Sequence, residues 1–174
     1  MVKKKPENDS KNIPKIMVLG IGCTLLRDEG FGVRVVHDLD RKYQFPDNVT
    51  LMDGGVLGVN LLGYIANCDH LIVVDAIRHR GEPGDLYRLT GDEVPQRIRA
   101  KNSVHQVDFL EALTLCNALD NVPQTVIVGV EPEDIESCSI ELTPTLEARK
   151  TDVIAMVLKE LEDLDVAYEI KETS

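Results

Sequence analysis

The chain has 174 residues, 43% of them hydrophobic and 28% charged, and its 30 acidic against 19 basic side chains leave a formal charge of −11. A domain of this length buries about two-thirds of the surface its unfolded chain exposes, so one core suffices. The acidic balance excludes nucleic acid as a partner, since phosphate binding needs clustered Lys and Arg, and no apolar run reaches the ~20 residues of a membrane-spanning helix.

Residues 1–13 are polar and read as a tail outside the fold. Ile16-Met17-Val18-Leu19 is a short apolar run ending at Gly20, the mark of a buried strand. A glycine-bounded loop, GIGCTLLRDEG, fills 20–30. From Phe31 the spacing of Val33, Val35, Val36 and Leu39 predicts an amphipathic helix that closes before Pro46. Val49–Met52 is a second strand, ending at Asp53-Gly54-Gly55, and 56–66 reads as a helix despite Gly58 and Gly63. His70 to Ala76 (HLIVVDA) is continuously apolar and predicts a central strand buried on both faces. Residues 77–84 form a turn, Asp85 to Thr90 an edge strand, and 103–119 a helix after Ser103-Val104-His105. Thr125 to Val130 is another buried strand and 131–143 an irregular loop. Thr143-Pro144-Thr145 opens a last helix that runs to about Asp165, Pro being suited to the first turn. Residues 168–174 read as a polar tail.

Strands alternating with helices predict one α/β domain over 14–167. Its three layers are a twisted, mostly parallel sheet of about five strands with helices on both faces. The first strand, HLIVVDA and TVIVGV are expected at the centre, with 85–90 antiparallel at an edge. Cys23, Cys68, Cys116 and Cys138 make no CxxC pair and no zinc-like spacing, which suits a reducing compartment. The amino-terminal residues lack the apolar stretch of a signal peptide, and a cytoplasmic location is expected.

In an open α/β sheet, ligands bind at the carboxyl ends of the strands. The polar residues just past those ends are Asp28 and Glu29, Asp53, Asp75 and Glu131, and His105 starts a following helix. Two carboxylates and one imidazole make a reasonable open shell for a borderline divalent metal. Each has a plainer reading: Glu29 as an acid facing a helix dipole, Asp75 as a turn cap, His105 as a helix-start residue. His37 and His79 read as surface residues, and His70 as locally bonded at a strand start. Gly20-x-Gly22-x-x-Leu25 imitates a dinucleotide fingerprint, but Leu25 stands where the third glycine should be. Asp28 and Glu29 would also repel a pyrophosphate there. P-loop, HExxH and GxSxG motifs are absent.

The loop GIGCTLLRDEGFGVRVV resembles the opening signature of the hydrogenase maturation endopeptidases. Matches follow in order at LMDGG (51–55), HLIVVDAI (70–77), SVHQVDF (103–109), VIVGVEPE (126–133) and LTPTLEA (142–148), so the resemblance covers about 15–165. It departs at Cys23, where the family usually has Asn to order the loop through side-chain hydrogen bonds.

The resemblance implies an endopeptidase that trims the C-terminal extension of a nickel–iron hydrogenase large-subunit precursor. Carried over by position, its metal-binding residues are Glu29, Asp75 and His105, and the metal is the nickel already inserted in the precursor. Two routes to hydrolysis stay open: the nickel polarises the scissile carbonyl or activates a water, or Asp53 or Asp75 acts as general base. Asp53, in the DGG turn, is the extra catalytic candidate against a purely structural turn role. The alternative from another class is a non-catalytic chaperone that binds nickel or the precursor without cleaving it.

Overall fold

The computed structural model describes residues 13–55, 62–94 and 122–172. Five strands form one sheet: β1 (Ile16–Ile21), β3 (Val49–Gly55), β4 (His70–Ala76), β5 (Leu86–Thr90) and β6 (Gln124–Val130), in the order β3-β1-β4-β6-β5. All neighbours are parallel except β5, which runs antiparallel to β6 at the edge. The apolar runs IMVLGI, HLIVVDA and TVIVGV thus occupy the centre, as their unbroken hydrophobicity requires. β1 and β4 are direct neighbours, from Ile16 opposite His70 to Gly20 opposite Val74.

Alternation along each strand divides the core in two. On one face Val18, Ile72, Val74, Val126 and Val128 meet α1 (Phe31–Lys42) and α3 (Pro144–Asp163). On the other, Met17, Leu19, Leu71, Val73 and Ile127 meet Ile65 of the short α2 (Leu62–Ile65), with Leu89 and Val94. Burying one such side chain contributes on the order of 2 kcal/mol, so these clusters supply most of the cohesion. α1 turns Phe31, Val35, Val36 and Leu39 inward, and α3 does the same with Leu146, Val153, Ile154, Val157, Leu158 and Leu161. Thr143 caps α3 by accepting a hydrogen bond from the Leu146 amide, with Pro144 behind it. Among the described residues no helix is long and apolar enough to cross a membrane.

The last helix ends at Asp163, close to the expected end, and Asp165 then takes a left-handed φ of 58°. One expectation needs correction. The carboxyl-terminal tail is not free of structure: β7 (Glu169–Ile170) pairs antiparallel with β2 (Tyr43–Gln44). The Tyr168 ring, 5.5 Å from Tyr43 and 5.9 Å from Phe45, fastens it there. A two-residue strand leaves no periodicity for a sequence to display. The helix expected over 103–119, with His105 and Cys116, lies outside the described residues, as does the first part of the 56–66 helix.

α1 rests on the sheet at Gly32. A Cβ there would lie 2.1 Å from the Val74 carbonyl oxygen and 2.7 Å from that of Ile21. Gly→Ala in an open helix gains about 1 kcal/mol, but here the obstruction is backbone on two strands and the collision wins. Gly32→Ala is expected to destabilise by about 1–3 kcal/mol, read as a lower urea midpoint at unchanged slope. An unchanged or higher midpoint would refute so close an approach.

Candidate active site

The carboxyl ends of β1, β3 and β4 gather the candidate residues. After β1 the chain folds back tightly: Gly22 has φ of 125°, and a Cβ on it would fall 1.7 Å from the Glu29 carbonyl oxygen. No other residue fits that position. The returning segment forms a single 3-10 turn, Arg27–Gly30, that leads into α1 and packs against β4. Glu29 sits in this turn, partly exposed, with its Oε2 shielded from solvent. Asp75, next to last in β4, is 7% exposed, and its Oδ1 is likewise shielded. A turn and a strand end that touch therefore carry these two carboxylates.

Asp53 is set apart. Gly20 lies opposite Asp53 on one side and Val74 on the other, so Asp53 shares a face with Val74, the face that α1 covers. Asp75 is one residue further along β4 and leaves the sheet on the opposite face. β1 separates the two, placing their strands about 10 Å apart. Asp53 instead pairs with His37 of α1, Oδ2 to Nε2 2.9 Å. His37 is exposed, as expected of a surface residue, and its pairing with Asp53 has no signal in the sequence. Among the described residues no three His, Cys, Asp or Glu side chains gather as a metal shell. Glu29 and Asp75 could supply two ligands, and the third candidate, His105, lies outside the described residues.

Two other strand-end acids are structural. Asp28 is fully buried. Its Oδ2 accepts from the amides of Glu133 (3.1 Å) and Asp134 (2.9 Å) and from the Thr143 hydroxyl (3.0 Å), while Oδ1 accepts from the Thr143 amide (2.8 Å). One carboxylate thus ties the loop before α1 to the loop before α3. Around it the Asp28 amide donates to the Asp134 carbonyl, and Leu26 and Ser139 form a parallel bridge. Glu131 does the same for the turn after β4: its Oε2 accepts from the His79 amide (2.7 Å), the Gly81 amide (3.2 Å) and the Tyr87 hydroxyl (2.8 Å). Cys23 is a free thiol, and its carbonyl accepts from the Leu26 amide at 3.1 Å. Main chain and Asp28 order this loop, the task an Asn side chain was expected to share.

A family model described as hydrogenase maturation protease matches residues 33–160. The chain is 43% identical over 151 residues to the hydrogenase expression/formation protein HupD of Bradyrhizobium diazoefficiens, covering 84% of this chain and 79% of the relative. It is 41% identical over 154 residues to the hydrogenase 2 maturation protease of Escherichia coli, covering 87% and 93%. Its fold matches that of the hydrogenase maturating endopeptidase HybD from E. coli with a TM-score of 0.86 at 38% identity, over 90% of this chain and 98% of the other. The chain belongs to the hydrogenase maturation protease family, and it is an endopeptidase of hydrogenase maturation.

Asp28→Ala would take the acceptor from four donors, two of which, the Thr143 amide and hydroxyl, are buried. A destabilisation of about 3 kcal/mol or more is expected, measured by urea unfolding; a loss below about 1 kcal/mol would mean the two loops are held by other contacts. The Tyr87 phenol is pushed up to about 12, first by burial, then by its bond to Glu131 and by the charges of Glu131 and Asp85. An unfolded Tyr titrates near 10. The raised value therefore stabilises the fold fully below pH about 10, and that share is lost as pH rises toward about 12. Glu131→Gln should bring the Tyr87 titration down, read as tyrosinate absorbance relative to Tyr87→Phe.

Proposed function

We propose that this endopeptidase removes the C-terminal extension of a nickel–iron hydrogenase large-subunit precursor, and that Glu29, Asp75 and His105 grip the nickel the precursor carries. The observation that carries the reading is that Glu29 and Asp75 come from two elements packed on each other at the carboxyl edge of the sheet. Nickel here belongs to the substrate, so the protease needs an open, exchangeable set of ligands. Two carboxylates and one imidazole are oxygen-rich and incomplete, which suits such a role. The nickel would act on the scissile carbonyl or on a water as a Lewis acid. As general base Asp75 is favoured over Asp53, which lies beyond β1, on the other face, already paired with His37. The names of the relatives, protease and endopeptidase, support turnover over a carrier that binds without cleaving. The cytoplasm is the proposed compartment, and the free thiols of Cys23 and Cys138 suit its reducing conditions.

Loss of the extension, followed by mass on nickel-loaded precursor, tests this. His105→Ala removes the only nitrogen ligand, and Glu29→Gln removes a charge at near-constant shape. Both are expected to leave the extension uncut while thermal unfolding changes little. His79→Ala should process normally, since it is the main-chain amide of His79 that bonds Glu131. Cleavage by His105→Ala at the wild-type rate would sink the three-ligand reading.

A further inference from the structure

Among the described residues, most large apolar side chains that face solvent are scattered, which is ordinary for a globular surface. Ile13 and Tyr64 line a cleft with Met17 and Cys68 near the amino ends of the strands, and Ile170 lies on β7. Leu25 and Ile140 differ. Leu25 is 64% and Ile140 68% exposed, they come from loops more than a hundred residues apart, and they flank one and the same bridge. The Ser139 amide donates to the Leu25 carbonyl at 3.0 Å, and the Arg27 amide donates to the Ser139 carbonyl at 2.9 Å. From α1 the Arg34 guanidinium reaches the carbonyls of both Thr24 and Ile140. Just below, the buried Asp28 carboxylate joins the same two loops, and Glu29 follows it directly. The backbone holding both aliphatic tips is therefore pinned at several points. Nothing stops a surface loop from ending in polar residues, and here two loops fixed beside a proposed nickel ligand each present a bare aliphatic one.

We propose that Leu25 and Ile140 form an apolar step at the mouth of the cleavage site, on which aliphatic side chains of the precursor polypeptide dock beside the scissile bond. The proposal rests on the reading of the precursor as substrate. It adds the part of the protease that recognises polypeptide, in distinction from metal. A step whose backbone is already ordered loses little conformational entropy on binding, so each buried aliphatic contact can count fully toward affinity. The contact exists before and during cleavage alike, so it should govern KM and leave kcat unchanged.

The test is steady-state cleavage of nickel-loaded precursor by Leu25→Ser, Ile140→Ser and the double variant. Ile170→Ser serves as the exposed control on β7, with thermal unfolding run beside each. Each single change is expected to raise KM by several-fold and the double by more than tenfold, at wild-type kcat. Leu25→Met and Ile140→Val should restore wild-type KM, which a merely polar contact would not allow. Ni2+ binding by the protease alone should be the same in all of them, because neither side chain is a ligand. A double variant with wild-type KM, or one that loses kcat instead, overturns the proposal. The reading beneath it fails separately: if Glu29→Gln still cleaves at the wild-type rate, nickel recognition is wrong whatever Leu25 and Ile140 do.

Discussion

The carboxyl edge of this protein is organised around one buried carboxylate. Asp28 is fully buried, and taking a carboxylate out of bulk water costs several kcal/mol. Four bonds from amides and a hydroxyl compensate it, each worth about 1.5–3 kcal/mol because the acceptor is charged. The two quantities are of similar size, so the network adds little net stability. Its effect is on geometry: the donors come from Glu133, Asp134 and Thr143, and the acceptor fills only one arrangement of those three with respect to the turn after β1. The direction of Glu29, the seat of α3 and the pairing of Leu26 with Ser139 all depend on it.

The parallel sheet imposes a second constraint, on which acids can act together. Side chains alternate strictly along a strand, so an offset of one residue between neighbouring strands sends two carboxylates to opposite faces. Asp53 and Asp75 have such an offset through Gly20 and Val74. They looked equivalent as residues beyond strand ends, yet one belongs with α1 and His37 and the other with the opposite layer. The proposed metal grip by Glu29 and Asp75 draws on the turn after β1 and on the face of β4 away from α1, which leaves Asp53 out.

The close backbone contacts explain why the edge holds its shape. Gly22 admits the Glu29 carbonyl, and Gly32 admits the Val74 and Ile21 carbonyls, so loop, helix and two central strands meet without side chains between them. Only a residue without Cβ permits that spacing. The glycines that imitate a nucleotide fingerprint thus serve close packing under two acids.

Much of this was legible in the residues alone. The choice of the three central strands, the edge strand at 86–90, the start of α3 at Thr143-Pro144 and the acids past the strand ends all follow from local patterns. Hydrophobic runs, periodicity and caps act between residues a few positions apart. The tertiary structure alone decided which partners Asp28, Glu131 and Asp53 meet. Asp28 finds its donors 105 to 115 residues away, and Glu131 reaches back about 50. Asp53 found His37 across a helix–sheet interface, and Tyr168 found Tyr43 from the far end of the described chain. A carboxylate that ligates metal and one that fastens a loop are the same residue type in the same kind of place. They differ only in which donors the fold brings near, and that depends on contacts far apart in the chain, which no local pattern encodes.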